Sequence, residues 1–366
     1  MQLKVLALGG DGIGPEVVNA ALQVLDVAAR RLSLHVDLTE DLLGGAAWDK
    51  LGMFISPDTL VRAKNSHGIL VGAVGGPKWD HITVDGGPEE QDGLMKLRHE
   101  LQVFACLRHA KTRSALLNHT AFRPEILSGT DIMLMRELCG GAMFTNMRGI
   151  AELDRGERRA YDLNEYTSTE IERFARVGFE VARRRQRQVV SVDKSNVFVA
   201  GGLWRDVVNE VRNKEFPDVE LTHFFADNAA YQLCCRPAEF DVILADNLFG
   251  DMLSDQVGAF AGSLGMLPSA CVSELPEHGC LETPAIYEPV HGSAPDIVGE
   301  GIANPIGTIL SVGMMLEYSG GRPDGAKRID MAVEAALSAG IMTPDLGGTN
   351  TTKEVADAII RHFNMQ

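Results

Sequence analysis

Strand-like and helix-like stretches alternate through the first hundred residues, and no other feature narrows the fold as much. Residues 3–8 (Leu-Lys-Val-Leu-Ala-Leu) read as a strand that runs into the glycine turn Gly9 to Gly14. Pro15 follows at a helix start, where its fixed φ and missing N–H are tolerated. Val17, Val18, Ala21, Leu22 and Leu25 then form one stripe at helical spacing. A strand at 34–38, a helix after Ser56-Pro57 and an apolar strand at 69–74 continue the rhythm. Such alternation predicts an α/β fold with a mainly parallel sheet covered by helices.

The glycine- and proline-rich stretch 75–93 is too broken for a regular element and is predicted to be a surface loop. The rhythm resumes with a strand at 132–138, a glycine turn, a polar excursion to Leu163, a helix over 168–185 and a strand at 189–192. Further strands are predicted at 219–226 and 240–245. From Gly301 the chain reads as mostly helical, with Ile309, Met314, Met315 and Leu316 as core candidates and a last helix over 352–363.

With 366 residues, 45% hydrophobic and 23% charged, the chain is long enough for two domains or one large α/β unit. A net charge of −16 argues against nucleic acid or an anionic membrane as partner. An anionic small-molecule substrate would need local cations. The basic run Arg183-Arg-Arg-Gln-Arg187 ends an amphipathic pattern, where cations suit a helix C-terminus. The first residues lack the length and cleavage site of a signal peptide, and no apolar run spans a bilayer. The six cysteines show no CxxC or His-Cys metal spacing, so reduced thiols and a cytoplasmic location are expected.

Asn247-Leu-Phe-Gly-Asp251-Met-Leu-Ser-Asp255 carries the strongest chemical signal, because it follows a strand and sets two carboxylates four residues apart. On a helix that spacing is one face, with side-chain roots roughly 6 Å apart. One hard cation would be bound by both acids; the other reading is a solvated acidic face. Leu248, Phe249, Met252 and Leu253 make the segment apolar elsewhere and favour the first. Arg98 and Arg108 lie ten residues apart and Arg136 leaves a predicted strand, where a guanidinium pairs with an internal carboxylate or a bound one. Together with Lys194, Asp227, Asp251 and Asp255 they suit a small dianionic acid on a divalent cation. The turn Gly10-Asp-Gly12-Ile-Gly14 lacks the G-x-G-x-x-G spacing of a dinucleotide fingerprint and is weak evidence for a nucleotide.

Six ordered motifs carry a resemblance over essentially the whole chain. They are Gly10 to Glu16, Ala73-Val-Gly-Gly-Pro-Lys-Trp-Asp80, Arg136-Glu-Leu-x-Gly-Gly141, Ser191-Val-Asp-Lys194, Asn247 to Asp255 and Glu288-Pro-Val-His-Gly-Ser-Ala-Pro-Asp-Ile297. In these the chain resembles the β-decarboxylating dehydrogenases. The resemblance implies the isopropylmalate/isocitrate dehydrogenase-like fold, two α/β domains rather than a Rossmann fold. Residues 1–103 with 262–366 would form the cofactor-binding domain, and 104–261 the dimer-forming domain. The implied reaction is NAD-dependent oxidative decarboxylation of a 3-substituted malate with Mg²⁺ or Mn²⁺, in a homodimer with shared sites. The first candidate substrate is 3-isopropylmalate, giving 2-oxoisocaproate. A bulkier 3-alkyl or 3-aryl malate such as 3-benzylmalate, or a weakly catalytic binding subunit, are the alternatives.

Carried over by position, Arg98, Arg108 and Arg136 hold the malate carboxylates, and Asp251 and Asp255 bind the metal with Asp227 of a second subunit. Lys194, also from the partner, is the base. Ile13, Glu288, His291, Gly292, Ser293, Ala294, Asp296, Ile297, Asn304 and Asp345 form the cofactor site. Asp296 suits the free 2′-hydroxyl of NAD and repels the phosphate of NADP. Leu94 and Met95, with Val197 of the partner subunit, make an apolar wall that would leave a third carboxylate unpaired. The chain departs from the family pattern at Met143, which stands where a tyrosine is expected to protonate the enolate. Methionine has no proton to give. Thr145, Met147 and His109 also replace the expected glycine and two prolines.

Overall fold

The computed structural model describes residues 2–276 and 279–366. Its strands are β1 (Gln2–Gly10), β2 (His35–Asp41), β3 (Gly68–Ala73), β4 (Ala105–Lys111), β5 (Asp131–Glu137), β6 (Arg148–Glu152), β7 (Arg158–Asp162), β8 (Gln188–Asp193), β9 (Glu220–Phe225), β10 (Val242–Ala245), β11 (Pro268–Val272) and β12 (Ala285–Pro289). Ten of them form one sheet in the order β2-β1-β3-β12-β11-β4-β5-β10-β8-β9, and β6 pairs with β7 alone. Only the β12–β11, β11–β4 and β4–β5 pairs of the large sheet are antiparallel. The strands on one side of the β11–β4 junction come from the chain's two ends, and those on the other side come from its middle.

Burial explains which strands the sequence announces. β3 (Gly-Ile-Leu-Val-Gly-Ala) and β10 (Val-Ile-Leu-Ala) are buried at every position, as parallel strands covered on both faces require. β2 is an edge strand, mostly exposed and acidic, a composition that discourages further pairing. The stripe on the Gly14–Arg31 helix packs inward through Val17, Val18, Ala21 and Leu25, and Ile309, Met314, Met315 and Leu316 are buried as expected.

Several elements depart from the sequence expectation. β4, β11 and β12 are central strands that the periodicity does not show. β4 alternates buried apolar residues with Arg108, His109 and Lys111, and β11 opens on a proline. The polar excursion after the glycine turn holds the β6–β7 hairpin, which is nearly all exposed and so carries no apolar pattern. The 168–185 helix stops at Arg183. There the basic run is tied to acids elsewhere in the chain: Arg183 to the exposed Asp218, and Arg185 to Asp131 and the buried Asp241.

Candidate active site

Alternation along β4 and β5 puts Cys106 and Arg108 on the same face as Arg136, because the register sets Cys106 opposite Arg136. His109 points to the other face, where its ring bonds Asp131 at 2.8 Å, away from the arginines. Arg98 comes from the Gly93–Leu101 helix, whose first turn is capped by the Asp92 carboxylate. The guanidinium-bearing side chains of Arg98, Arg108 and Arg136 are only 13%, 8% and 7% exposed. Burial, followed by the charge of Arg108, pushes Arg136 down to about 10, while Asp251 opposes the shift.

Each arginine already has internal partners. Arg98 pairs with Glu288, Arg108 donates to Ser254 and lies 3.9 Å from Asp255, and Arg136 pairs with Asp251. The Nε of Arg136 donates to Asn247 Oδ1 at 2.9 Å and its Nη2 approaches the Met143 sulfur at 3.5 Å. The Nε–H groups of Arg98 and Arg108, by contrast, are buried without an acceptor among the described residues. An unsatisfied buried donor costs about 1–3 kcal/mol, so two of them beside a third guanidinium call for an anion.

The Asn247–Phe260 helix starts after β10 and is capped by Asp246, whose carboxylate accepts from Phe249 N at 2.8 Å. It presses against β5 so closely that a Cβ on Gly250 would lie 2.8 Å from the Arg136 side chain. Asp251 and Asp255 sit one turn apart with side chains 44% and 61% exposed, open to a ligand. Burial raises the Asp255 carboxyl; Arg108 opposes that and Asp251 adds to it. Lys194 follows β8 and pairs with Asp227, in the first turn of the Ala226–Cys235 helix, within the same chain. No group of three His, Cys, Asp or Glu among the described residues of one chain is placed to hold a metal. Asp251 and Asp255 are therefore two hard oxygen donors that need completion from elsewhere, a donor set that fits Mg²⁺ or Mn²⁺.

The cofactor candidates meet at the glycine turn. Gly12 has φ +59°, and a Cβ there would lie 1.9 Å from Ser293 O, so only glycine lets the two loops touch. Ile13 N donates to the same carbonyl at 2.9 Å. His291 Nδ1 donates to Gly292 O at 2.9 Å, leaving Nε2 as a buried acceptor without a partner among the described residues. Burial pushes that imidazole below its usual value, so it stays neutral. Asn304 Nδ2 donates to Asp345 Oδ2 at 2.9 Å, and Asp296 and Ile297 share a short turn after Ala294, itself at φ +39°. A neutral histidine acceptor beside a close-packed glycine turn fits a dinucleotide.

Sequence reasoning missed two contributors, Asn247 and Asp11. Asn247 is 1% exposed and bridges Arg136 Nε to the Gly140 carbonyl, 3.0 Å from its Nδ2. Asp11 accepts backbone N–H groups from Gly45, Ala46 and Gly75 at 2.9, 2.7 and 2.8 Å and ties three loops together. Glu288, placed in the cofactor loop by position, is the buried counter-ion of Arg98. Among the wall residues, Leu94 packs into a core cluster, Met95 is half-buried and Val197 is 65% exposed.

The profile of the isocitrate/isopropylmalate dehydrogenase family matches residues 4–359. A 3-isopropylmalate dehydrogenase of Pseudomonas fluorescens (strain Pf-5) is 47% identical over 98% of both chains. That of Xanthomonas campestris pv. campestris is 46% identical over 98% of this chain and 99% of its own. The crystal structure of isocitrate dehydrogenase from Methylococcus capsulatus aligns with TM-score 0.86 at 30% identity, covering 99% of each chain. A β-decarboxylating dehydrogenase from Thermococcus kodakarensis aligns with TM-score 0.77 at 32% identity, over 99% of this chain and 96% of that one. With Arg108 beside Asp255 and Arg136 paired to Asp251, these likenesses over nearly the full length establish that the chain belongs to the isocitrate/isopropylmalate dehydrogenase family.

Proposed function

We propose that this chain is an NAD-dependent 3-isopropylmalate dehydrogenase, converting its substrate to 2-oxoisocaproate and CO₂ in a leucine-type pathway. The observation that carries the reading is the buried arginine trio, with two unpartnered Nε–H groups, beside Asp251 and Asp255. Guanidinium donors clamp the two carboxylates of a malate and fix its orientation. Asp251 and Asp255, with the partner's Asp227, would hold Mg²⁺ or Mn²⁺; His291, Ile13, Asn304, Asp345 and Asp296 would hold NAD. When bound, the cation polarises the substrate's oxygens and the dinucleotide accepts the hydride. The partner's Lys194 takes the hydroxyl proton, as a base held within reach of an acid. Asp296 favours NAD over NADP.

Leu94, Met95 and Val197 suit an alkyl group on C3, since a third carboxylate there would be left unpaired. The names of the curated relatives agree with isopropyl, and nothing observed favours a bulkier group or a non-catalytic subunit. A homodimer is supported by exposed apolar side chains at Val197, Val199, Leu203, Tyr231, Leu248 and Met252, on or beside three helices of the 104–261 region. We take that region as the dimer-forming domain and 1–103 with 262–366 as the cofactor domain. Free cysteines and the absence of any described helix able to cross a membrane suit a cytoplasmic enzyme.

The test is NADH and CO₂ production with Mg²⁺ across a panel of 3-substituted malates. Equal yields of the two products, greatest with 3-isopropylmalate, are expected. No NADH on any malate at high enzyme concentration would overturn the reading.

A further inference from the structure

Cys106 and Cys271 face each other across the junction of β4 and β11, and neither has a part in the chemistry above. Both are fully buried. The antiparallel register places Cys271 directly opposite Cys106. The kind of pairing follows from the neighbouring strands. Phe104 O accepts from Leu138 N on the β5 side, so the even-numbered residues of β4 aim their backbone groups at β5. Leu267 O accepts from Val290 N on the β12 side, so the odd-numbered residues of β11 aim theirs at β12. The 106–271 pair is thus non-hydrogen-bonded, the arrangement with Cα atoms about 4.5 Å apart and side chains closest. A disulfide needs Cα atoms about 4.4–6.8 Å apart, so these two strands can carry one in place.

The surroundings tie the thiols to the arginines. Cys271 Sγ donates to Glu288 Oε1 at 3.6 Å, the carboxylate that also pairs with Arg98. Arg108 lies two residues from Cys106 on the same face. When the Cys271 S–H turns from Glu288 to Cys106, its hydrogen bond, and then the charges of Arg108 and Arg98, hold the Cys106 thiol below its usual value against its burial. A thiolate is the form that reacts with oxidants.

We propose that Cys106 and Cys271 are a redox modification site, closing to a disulfide in the presence of hydrogen peroxide and disturbing the malate grip of Arg98 and Arg108. The Cys106 thiolate attacks the O–O bond, forming a sulfenic acid and releasing hydroxide. The Cys271 thiol then attacks that sulfur; the S–S bond forms, and the sulfenic oxygen leaves as water with the thiol proton. Two electrons pass from the sulfurs to the peroxide. The disulfide removes the thiol donor from Glu288 and pulls β4 toward β11 beside Arg108. A dithiol reverses it by exchange.

Full-length protein treated with hydrogen peroxide at neutral pH, alkylated and mapped by mass spectrometry provides the test. The expected result is a peptide pair linking Cys106 to Cys271, lost on dithiothreitol treatment and absent from Cys271→Ser. Malate KM should rise about tenfold, the size of one good hydrogen bond lost, and recover on reduction. Complete alkylation of both cysteines after oxidation and unfolding would overturn the site, as would Cys106 trapped as sulfinic acid without a link. A linked pair with unchanged malate KM would overturn the coupling to the arginines. Mapping reads the link without any activity, so its failure is distinct from a failure of the substrate assignment.

Discussion

Replacing Asn247 with leucine keeps the branched shape of the side chain and strips two buried groups of their partners. Arg136 Nε loses the acceptor 2.9 Å away, and the Gly140 carbonyl loses the donor 3.0 Å away. At 1% exposure, water cannot take either place. A buried polar group left unsatisfied costs about 1–3 kcal/mol, so the two together cost about 2–6 kcal/mol. The lower half of that range is expected, because Arg136 keeps its pairing with Asp251. The guanidinium would also lose the contact that fixes its plane. A misplaced charge-assisted hydrogen bond is worth about 1.5–3 kcal/mol, or roughly 10- to 100-fold in malate KM. Asn247→Asp separates the two effects: it retains an acceptor for Nε and loses only the donor to Gly140. Urea unfolding and steady-state kinetics at saturating NAD and Mg²⁺ provide the readouts. Asn247→Leu should lower stability and raise malate KM with NAD KM unchanged, whereas Asn247→Asp should keep malate KM within about threefold. Equal malate KM in both variants would refute the argument that Asn247 orients Arg136.

Met143→Tyr places a phenol beside Arg136 and should raise turnover on 3-isopropylmalate by as much as about 10²-fold if enolate protonation limits. Unchanged kcat would show that the proton already comes from elsewhere. Burial pushes Glu137 up to about 7, although Cys139 N and Gly140 N donate to it. A raised carboxyl favours the fold below its usual 4.5, and that contribution is lost as pH rises toward 7. The wild type should therefore gain stability from pH 8 to 5 relative to Glu137→Gln, read from urea midpoints; parallel curves would contradict the burial argument. Asp255→Asn should weaken Mn²⁺ binding by about tenfold or more in calorimetry without substrate, since affinity follows the charge of the oxygen ligands. Hybrid dimers of a Lys194→Ala chain with an Asp251→Asn chain should recover activity that neither variant has alone, to about a quarter of wild type in an equal mixture. No recovery would mean that each site is built within one chain.

The legible parts of the fold are those whose signal is local. β3 and β10 are continuous apolar runs, and the Gly14–Arg31 helix repeats its buried residues every three or four positions. β4 was hidden because the residues that make it useful, Arg108 among them, break the apolar pattern of a central strand. β11 and β12 were hidden because each has a proline at one end and a polar residue, Ser269 or Glu288, that interrupts its apolar run. The β6–β7 hairpin buries almost nothing, so it leaves no pattern at all.

The site divides along the same line. Asp251 and Asp255 were readable as a pair because four residues of helix set their spacing, whatever the rest of the chain does. By itself the sequence determined the α/β rhythm, the acid pair and the basic residues available to an anion, while the phenol expected at Met143 comes from the resemblance. Tertiary structure alone decided that Arg98 is held by a carboxylate 190 residues away, that Gly12 closes on Ser293, and that Asn247 braces Arg136. It also decided that Cys106 meets Cys271 in register. Local geometry follows from the backbone of a few neighbouring residues, whereas partners for buried charges are chosen by the sheet order that brings distant strands together.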